Sequence, residues 1–161
     1  MLLSPLIVIA EEAKPPAWAL AALTVLSWLA PTLPVIGGSN SDSAAQYCDE
    51  EVRAACEADE KAYKGRMRLC TATAVLALSS RLESSLGDVR IPFLALHGSA
   101  DRIVNVASSR RLLAEAASAD KRLVEFEGAR HTLLAEPPAL RAEILDLIAG
   151  WLSKRAAEAG S

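Results

Sequence analysis

The sequence predicts an α/β fold of about three parallel strands with flanking helices, on three observations. Toward the carboxyl end, short apolar runs alternate with helical stretches in the order strand, helix, strand, helix, which implies right-handed crossovers and a parallel sheet. The two strands of that region, 92–97 and 121–127, each run into a glycine turn, at Gly98 and Gly128. Finally, Pro137 and Pro138 open a helix in which Leu140, Ile144, Leu147, Ile148, Trp151 and Leu152 recur on one amphipathic face.

The elements follow in order. Leu2 to Ile9 is a short apolar run rich in Leu, Ile and Val with no polar alternation beyond Ser4, expected as an inner parallel strand covered on both faces. Pro16 to Ala30 is almost wholly apolar, with Trp18, Leu20, Leu23, Val25, Leu26, Trp28 and Leu29. It predicts a helix apolar nearly all round, buried or lying against lipid or substrate, and its 15 residues fall short of the roughly 20 a bilayer span needs. Val35 to Ser43 has the Gly, Ser, Asn and Asp content of a loop. Asp49 to Lys64 carries both signs of charge and reads as a solvated helix or irregular segment. Cys70 to Leu82 places Val75, Leu78 and Leu82 at helical spacing, ended by Gly87. Pro92 stands at the start of its strand, where a missing ladder donor is tolerated. Asn105 opens a helix through Ala117 with Leu112, Leu113 and Ala116 inward, and Lys121 to Glu127 is the next strand.

Composition narrows the function classes. A chain of 161 residues suits one domain with a real core. With 52% hydrophobic and 23% charged residues it is neither disordered nor an integral membrane protein. A formal net charge of -3 without runs of Lys or Arg leaves no electrostatic footprint for nucleic acid. Cys48, Cys56 and Cys70 are an odd set without paired spacing, which reads as reduced thiols of a cytoplasmic protein. No metal or cofactor motif is present. The amino terminus has no basic residue ahead of its apolar run and is a poor signal peptide.

The chemistry is expected at the strand ends. Asp101 lies three residues beyond Gly98, and His131 three beyond Gly128. Ligands bind just outside the carboxyl ends of parallel strands, so adjacent strands would bring both side chains to one crevice. There a carboxylate bonded to imidazole Nδ1 fixes the tautomer and leaves Nε2 to take a proton from a serine hydroxyl. Asp101 and His131 are thus the candidate catalytic residues, against the plainer readings of a turn aspartate and a surface histidine. His97 reads as a structural histidine bonding nearby backbone, Trp18 and Trp28 as core or lid packing. No Gly-x-Ser-x-Gly nucleophile elbow occurs in the sequence. Ser39 sits in Gly37-Gly38-Ser39-Asn40-Ser41, where the closing glycine is a serine, and Ser99 lies on the acid's own loop. No nucleophile is assigned.

Five stretches together carry a resemblance: Leu2-Leu3-Ser4-Pro5; Glu11-Glu12-Ala13-Lys14-Pro15-Pro16; Tyr63-Lys64-Gly65; Pro92 through Asp101, which includes His97-Gly98-Ser99-Ala100-Asp101; and Gly128-Ala129-Arg130-His131. They resemble the monoacylglycerol lipase group of α/β hydrolases, which includes lysophospholipase and caffeoylshikimate esterase-like proteins within the serine aminopeptidase S33 or hydrolase-4 set. The resemblance implies the C-terminal part of an α/β-hydrolase fold. Residues 2–9 would follow the nucleophile helix, residues 11–85 would form a helical cap, and residues 86–155 the core. Asp101 and His131 would complete the triad, while the oxyanion His-Gly segment and the serine elbow would precede the strand with which this sequence starts. It further implies an acyl-ester or lipid substrate and peripheral membrane contact through the cap. An unpaired edge at residues 2–9 would favour self-association.

Overall fold

The computed structural model of the chain describes residues 1–9, 14–36 and 43–160. The predicted turn chemistry at Gly37, Gly38, Ser39, Asn40 and Ser41 and the Glu11-Glu12-Ala13 stretch lie outside them.

Three parallel strands form the main sheet in the order β1 (Leu2–Leu3), β4 (Phe93–Gly98), β5 (Lys121–Phe126). Leu2 pairs with Ala95, and β4 runs beside β5 from Phe93↔Lys121 to Gly98↔Phe126. Every residue of β4 is buried, which explains its near-continuous hydrophobic run. Its two-residue side-chain period divides the core. Phe93 and Ala95 meet Ile7, Leu86, Leu112 and Ala116 on one face. Leu94 and Leu96 meet Phe126, Ala129, Leu133 and Ile144 on the other. Helix α5 (Ala107–Glu115) covers the first face through Leu112, and α6 (Pro138–Ala159) covers the second through Ile144. Leu152, assigned by spacing to the inward stripe of α6, is instead 48% exposed.

The amino-terminal run departs from expectation. Only Leu2–Leu3 are strand, and among the described residues β1 pairs with β4 alone. Ser4 adopts a positive φ of 41°, uncommon for a residue with a Cβ, and Pro5 has no N–H to donate. The Ser4 N–H still reaches the Leu96 carbonyl at 2.8 Å, and the chain then turns off the sheet. Its backbone is satisfied by serine side chains instead of a ladder. The Ile7 and Val8 N–H groups donate to Ser108 Oγ at 3.1 and 2.9 Å, and the Ile7 carbonyl accepts from Ser79 Oγ at 2.9 Å.

Between β1 and β4 lies a mostly helical segment. Helix α1 (Ala17–Leu29) has no buried residue and packs against α4 (Leu69–Ser84). A two-stranded antiparallel ribbon of β2 (Pro34–Ile36) and β3 (Met67–Arg68) joins them, where the sequence predicted a loop from Val35. The short helix α2 (Ser43–Gln46) precedes α3 (Glu50–Ala58). Asp49 caps α3 by accepting from the Glu51 and Val52 N–H groups at 2.9 and 3.2 Å, and Glu50 and Glu51 suit the positive end of the helix dipole. Trp18 and Trp28 are 76% and 86% exposed. Of the two readings given for them, core packing is excluded, since α1 packs on α4 and leaves both side chains exposed.

Glu83 ties this segment to the sheet layer. It accepts from Lys14 Nζ at 2.9 Å and pairs with Arg111 of α5. Hydrogen bonds from Lys14 and then Arg111 hold its carboxyl below the ordinary range, against an opposing desolvation effect. A depressed folded-state pKa stabilises the fold above the unfolded value, near 4.5, and that contribution is lost as pH falls through the folded value. Glu83→Gln is therefore expected to lower stability by up to about 1 kcal/mol at pH 7. Urea denaturation of both proteins should show the difference closing as pH falls below the ordinary glutamate range.

Candidate functional site

The acid and base loops leave the carboxyl ends of adjacent strands, β4 and β5, and are bonded to each other before any side-chain chemistry is considered. The Ser99 N–H donates to the Phe126 carbonyl at 2.9 Å and the Ala100 N–H to the Ala129 carbonyl at 3.0 Å. Ser99 Oγ accepts from the Gly128 N–H at 2.9 Å. Gly128 has φ +71°, the left-handed conformation that glycine adopts without strain. Gly98 is required for a different reason, close approach. A Cβ there would run into the Ala129 carbonyl and lie 2.6 Å from the Arg130 carbonyl oxygen.

This crossing brings the two predicted residues together. The His131 Nδ1–H donates to Asp101 Oδ2 at 2.8 Å, with the Asp101 side chain fully buried and that of His131 28% exposed. Asp101 also performs the turn role weighed against catalysis. Its Oδ1 accepts from the Ile103 and Val104 N–H groups at 2.8 and 2.9 Å. The two readings were not alternatives, because a carboxylate has two oxygens and each does one task.

Three neighbours hold the histidine loop in place. Ser4 Oγ donates to the His131 carbonyl at 2.8 Å. The Arg130 N–H donates to Glu136 Oε1 at 2.6 Å, and the Glu136 residue is 2% exposed. Arg130 Nη1 reaches back to the Ala44 and Tyr47 carbonyls at 2.6 and 2.8 Å. The Thr132 N–H donates to the Gln46 carbonyl and the Asp49 N–H to the Ala135 carbonyl, both at 3.0 Å. The segment around α2 is thus stitched to the loop carrying His131. Sequence reasoning missed Ser4 and Arg130 as positioning groups, since their partners are backbone atoms 83 to 127 residues away and no local pattern encodes such a pairing.

His97, expected to bond nearby backbone, does so through Nε2 and the Val104 carbonyl at 3.0 Å. It also contacts Ser109 Oγ and Asp101. Opposite it in register on β5 stands Glu125, whose carboxyl is held below the ordinary range chiefly by the Arg110 guanidinium, bonded to it at 2.8 and 2.6 Å. Ser99 is engaged as an acceptor in the loop crossing.

A parallel sheet that presents a bonded acid and histidine on successive strand-end loops is the α/β-hydrolase arrangement. The chain belongs to the serine aminopeptidase S33 (hydrolase-4) family, whose model matches residues 1–138, and within it to the monoglyceride lipase-like group. It is 33% identical over 132 residues to a monoacylglycerol lipase of Mycolicibacterium smegmatis, covering 82% of this chain and 45% of that protein. It is 31% identical over 162 residues to the caffeoylshikimate esterase of Arabidopsis thaliana, covering 100% of this chain and 48% of the relative. The crystal structure of Paleococcus ferrophilus monoacylglycerol lipase superposes with a TM-score of 0.78 at 27% identity, over 93% of this chain and 56% of that one. The chain spans about half the length of the curated relatives it matches.

Because Gly98 is crossed by backbone, which cannot swing aside as a side chain can, Gly98→Ala is expected to displace the histidine loop. The cost should be about 1–3 kcal/mol in urea denaturation. The downfield proton resonance of the His131 Nδ1–H bonded to Asp101 should be lost with it in the one-dimensional NMR spectrum.

Proposed function

We propose that this chain supplies the acid and base of a serine ester hydrolase acting on monoacylglycerols, lysophospholipids or related acyl esters. Its nucleophile would come from a Gly-x-Ser-x-Gly elbow outside the present sequence. The observation that carries the reading is the bond from His131 Nδ1–H to a fully buried Asp101 Oδ2. The acid holds the ring in the tautomer that leaves Nε2 to accept the serine proton, and stabilises the imidazolium that results. His131 then returns that proton to the leaving alcohol. The similarity to monoacylglycerol lipases supports the substrate class.

Acid and base act as a unit with their nucleophile, so the 161-residue chain alone is expected to give no ester turnover and no labelling by a fluorophosphonate probe. Joined to the part of the Paleococcus ferrophilus lipase that it does not cover, it should support monoacylglycerol hydrolysis. Asp101→Asn and His131→Ala should each lower kcat of the fusion by roughly 10³–10⁴-fold. Turnover of the fusion indifferent to both substitutions would refute the assignment.

The helical segment 17–84 is proposed as the cap, with α1 its contact to a lipid surface. The described residues contain no helix long and apolar enough to cross a membrane, yet α1 exposes Trp18, Val25, Trp28 and Leu29. Thr24, Val25, Trp28 and Leu29 line a shallow apolar depression of about 360 Å³ on it. Exposed aromatic and aliphatic groups on a helix that itself carries no charged residue favour insertion at the acyl boundary. Binding to neutral phosphatidylcholine vesicles, read by tryptophan fluorescence and co-sedimentation, is expected to fall roughly tenfold or more in a Trp18→Ser, Trp28→Ser double variant.

A further inference from the structure

His97 is fully buried on the central strand, where leucine stands at positions 94 and 96. A leucine would fill the space without desolvating two ring nitrogens, so packing alone does not account for an imidazole there. The bonds of the ring do. Nε2 lies 3.0 Å from the Val104 carbonyl oxygen and 3.1 Å from Asp101 Oδ2. Both are acceptors, so the ring proton sits on Nε2. Nδ1 is then the acceptor of the Ser109 hydroxyl at 2.7 Å, a residue itself fully buried. Ser109 fixes the tautomer of His97, whose Nε2–H donates to the Val104 carbonyl and keeps that edge of the ring 3.1 Å from the oxygen that also receives the His131 proton.

We propose that His97 is a positioning residue for the acid, a second histidine that holds Asp101 Oδ2 in the orientation His131 needs. This rests on the Asp101–His131 reading above and deepens it. Two backbone N–H groups anchor Oδ1, but the terminal torsion of an aspartate is broad and a carboxylate held by one oxygen pivots about it. The remaining oxygen would otherwise be held only by His131, the more exposed of the two rings. With His97 in place, N–H groups from Ile103, Val104 and His131 bond the carboxylate, and the polar edge of the His97 ring stands 3.1 Å from Oδ2 on its remaining side. The acid is set before the base arrives.

Only two histidines occur in the sequence, so both rings can be followed without ambiguity in the 15N-histidine-labelled 161-residue chain. The detergent-solubilised protein is measured by long-range proton–nitrogen NMR at about pH 8.5, above the ordinary histidine range. The parent should show His131 as the Nδ1–H tautomer and His97 as Nε2–H. His97→Asn keeps an acceptor near Ser109 but is too short to reach Asp101, and it should lose the His131 Nδ1–H form. His97→Gln, which carries an N–H near the Nε2 position, should restore it. Ser109→Ala is a milder route to the same end, expected to reduce both the His97 Nε2–H population and the His131 signature in a folded protein. A His131 signature unchanged in Ser109→Ala, or in folded His97→Asn, overturns the proposal. Asp101→Asn separates the underlying reading. If His131 keeps its Nδ1–H form there, the acid–base pair itself is wrong, whereas loss there with no response to His97 or Ser109 rejects only the role of His97.

Discussion

A fully buried carboxylate is the constraint on which the site depends. Removing the charge of Asp101 from water is tolerable only if its oxygens are met by donors in good geometry. The loop from Asp101 to Val104 folds into a tight turn that delivers two backbone N–H groups to Oδ1. Oδ2 accepts from His131 of the next loop, and the His97 ring of the preceding strand lies 3.1 Å from it. The requirement that keeps this carboxylate folded inside the protein thus also sets the tautomer of His131. Stability and chemistry draw on the same bonds here.

A second pattern runs through the structure: short hydroxyl side chains take over where the sheet ladder stops. Ser4 follows the last residue of β1 and bonds the carbonyl of His131. Ser108 and Ser79 satisfy the backbone of the segment that leaves the sheet. Ser109, next on α5, turns to His97. Helix α5 therefore presents two successive serines to different tasks, one to the amino-terminal segment and one to the site. Both are nearly or fully buried, and each has its hydroxyl engaged, as buried polar groups require.

Much of the sheet and the chemical pair was legible in the sequence because each leaves a local signature. The all-apolar run of β4, the glycine stops and the spacing of Asp101 and His131 are patterns within a dozen residues. What escaped was non-local. The strand predicted over residues 2–9 shrank to two residues because Ser4 takes a positive φ and the backbone beyond it is bonded by serines about 70 to 100 residues away. Hydrophobic content did not distinguish a strand from an apolar strap laid over α5 and α4. The β2–β3 ribbon joins residues some 30 positions apart through pairings of two or three residues, too short for periodicity to register. Trp18 and Trp28 show the limit of composition from the other side: apolar character left core and lid placements open, since it predicts burial only when a partner surface exists.

The links between the α2 region and the histidine loop bear on how the proposed cap would work. Arg130 binds two carbonyls of the segment 44–47, and the bond from the Thr132 N–H to the Gln46 carbonyl lies one residue beyond His131. A shift of that segment would therefore pull directly on the backbone either side of the histidine. Among the described residues, helix α1 has no such hydrogen bond to the histidine loop. It rests on α4 and keeps its apolar side exposed. The proposed cap is held unequally in consequence: the part near α2 is bonded to the histidine loop, and the part carrying Trp18 and Trp28 is tied instead to α4.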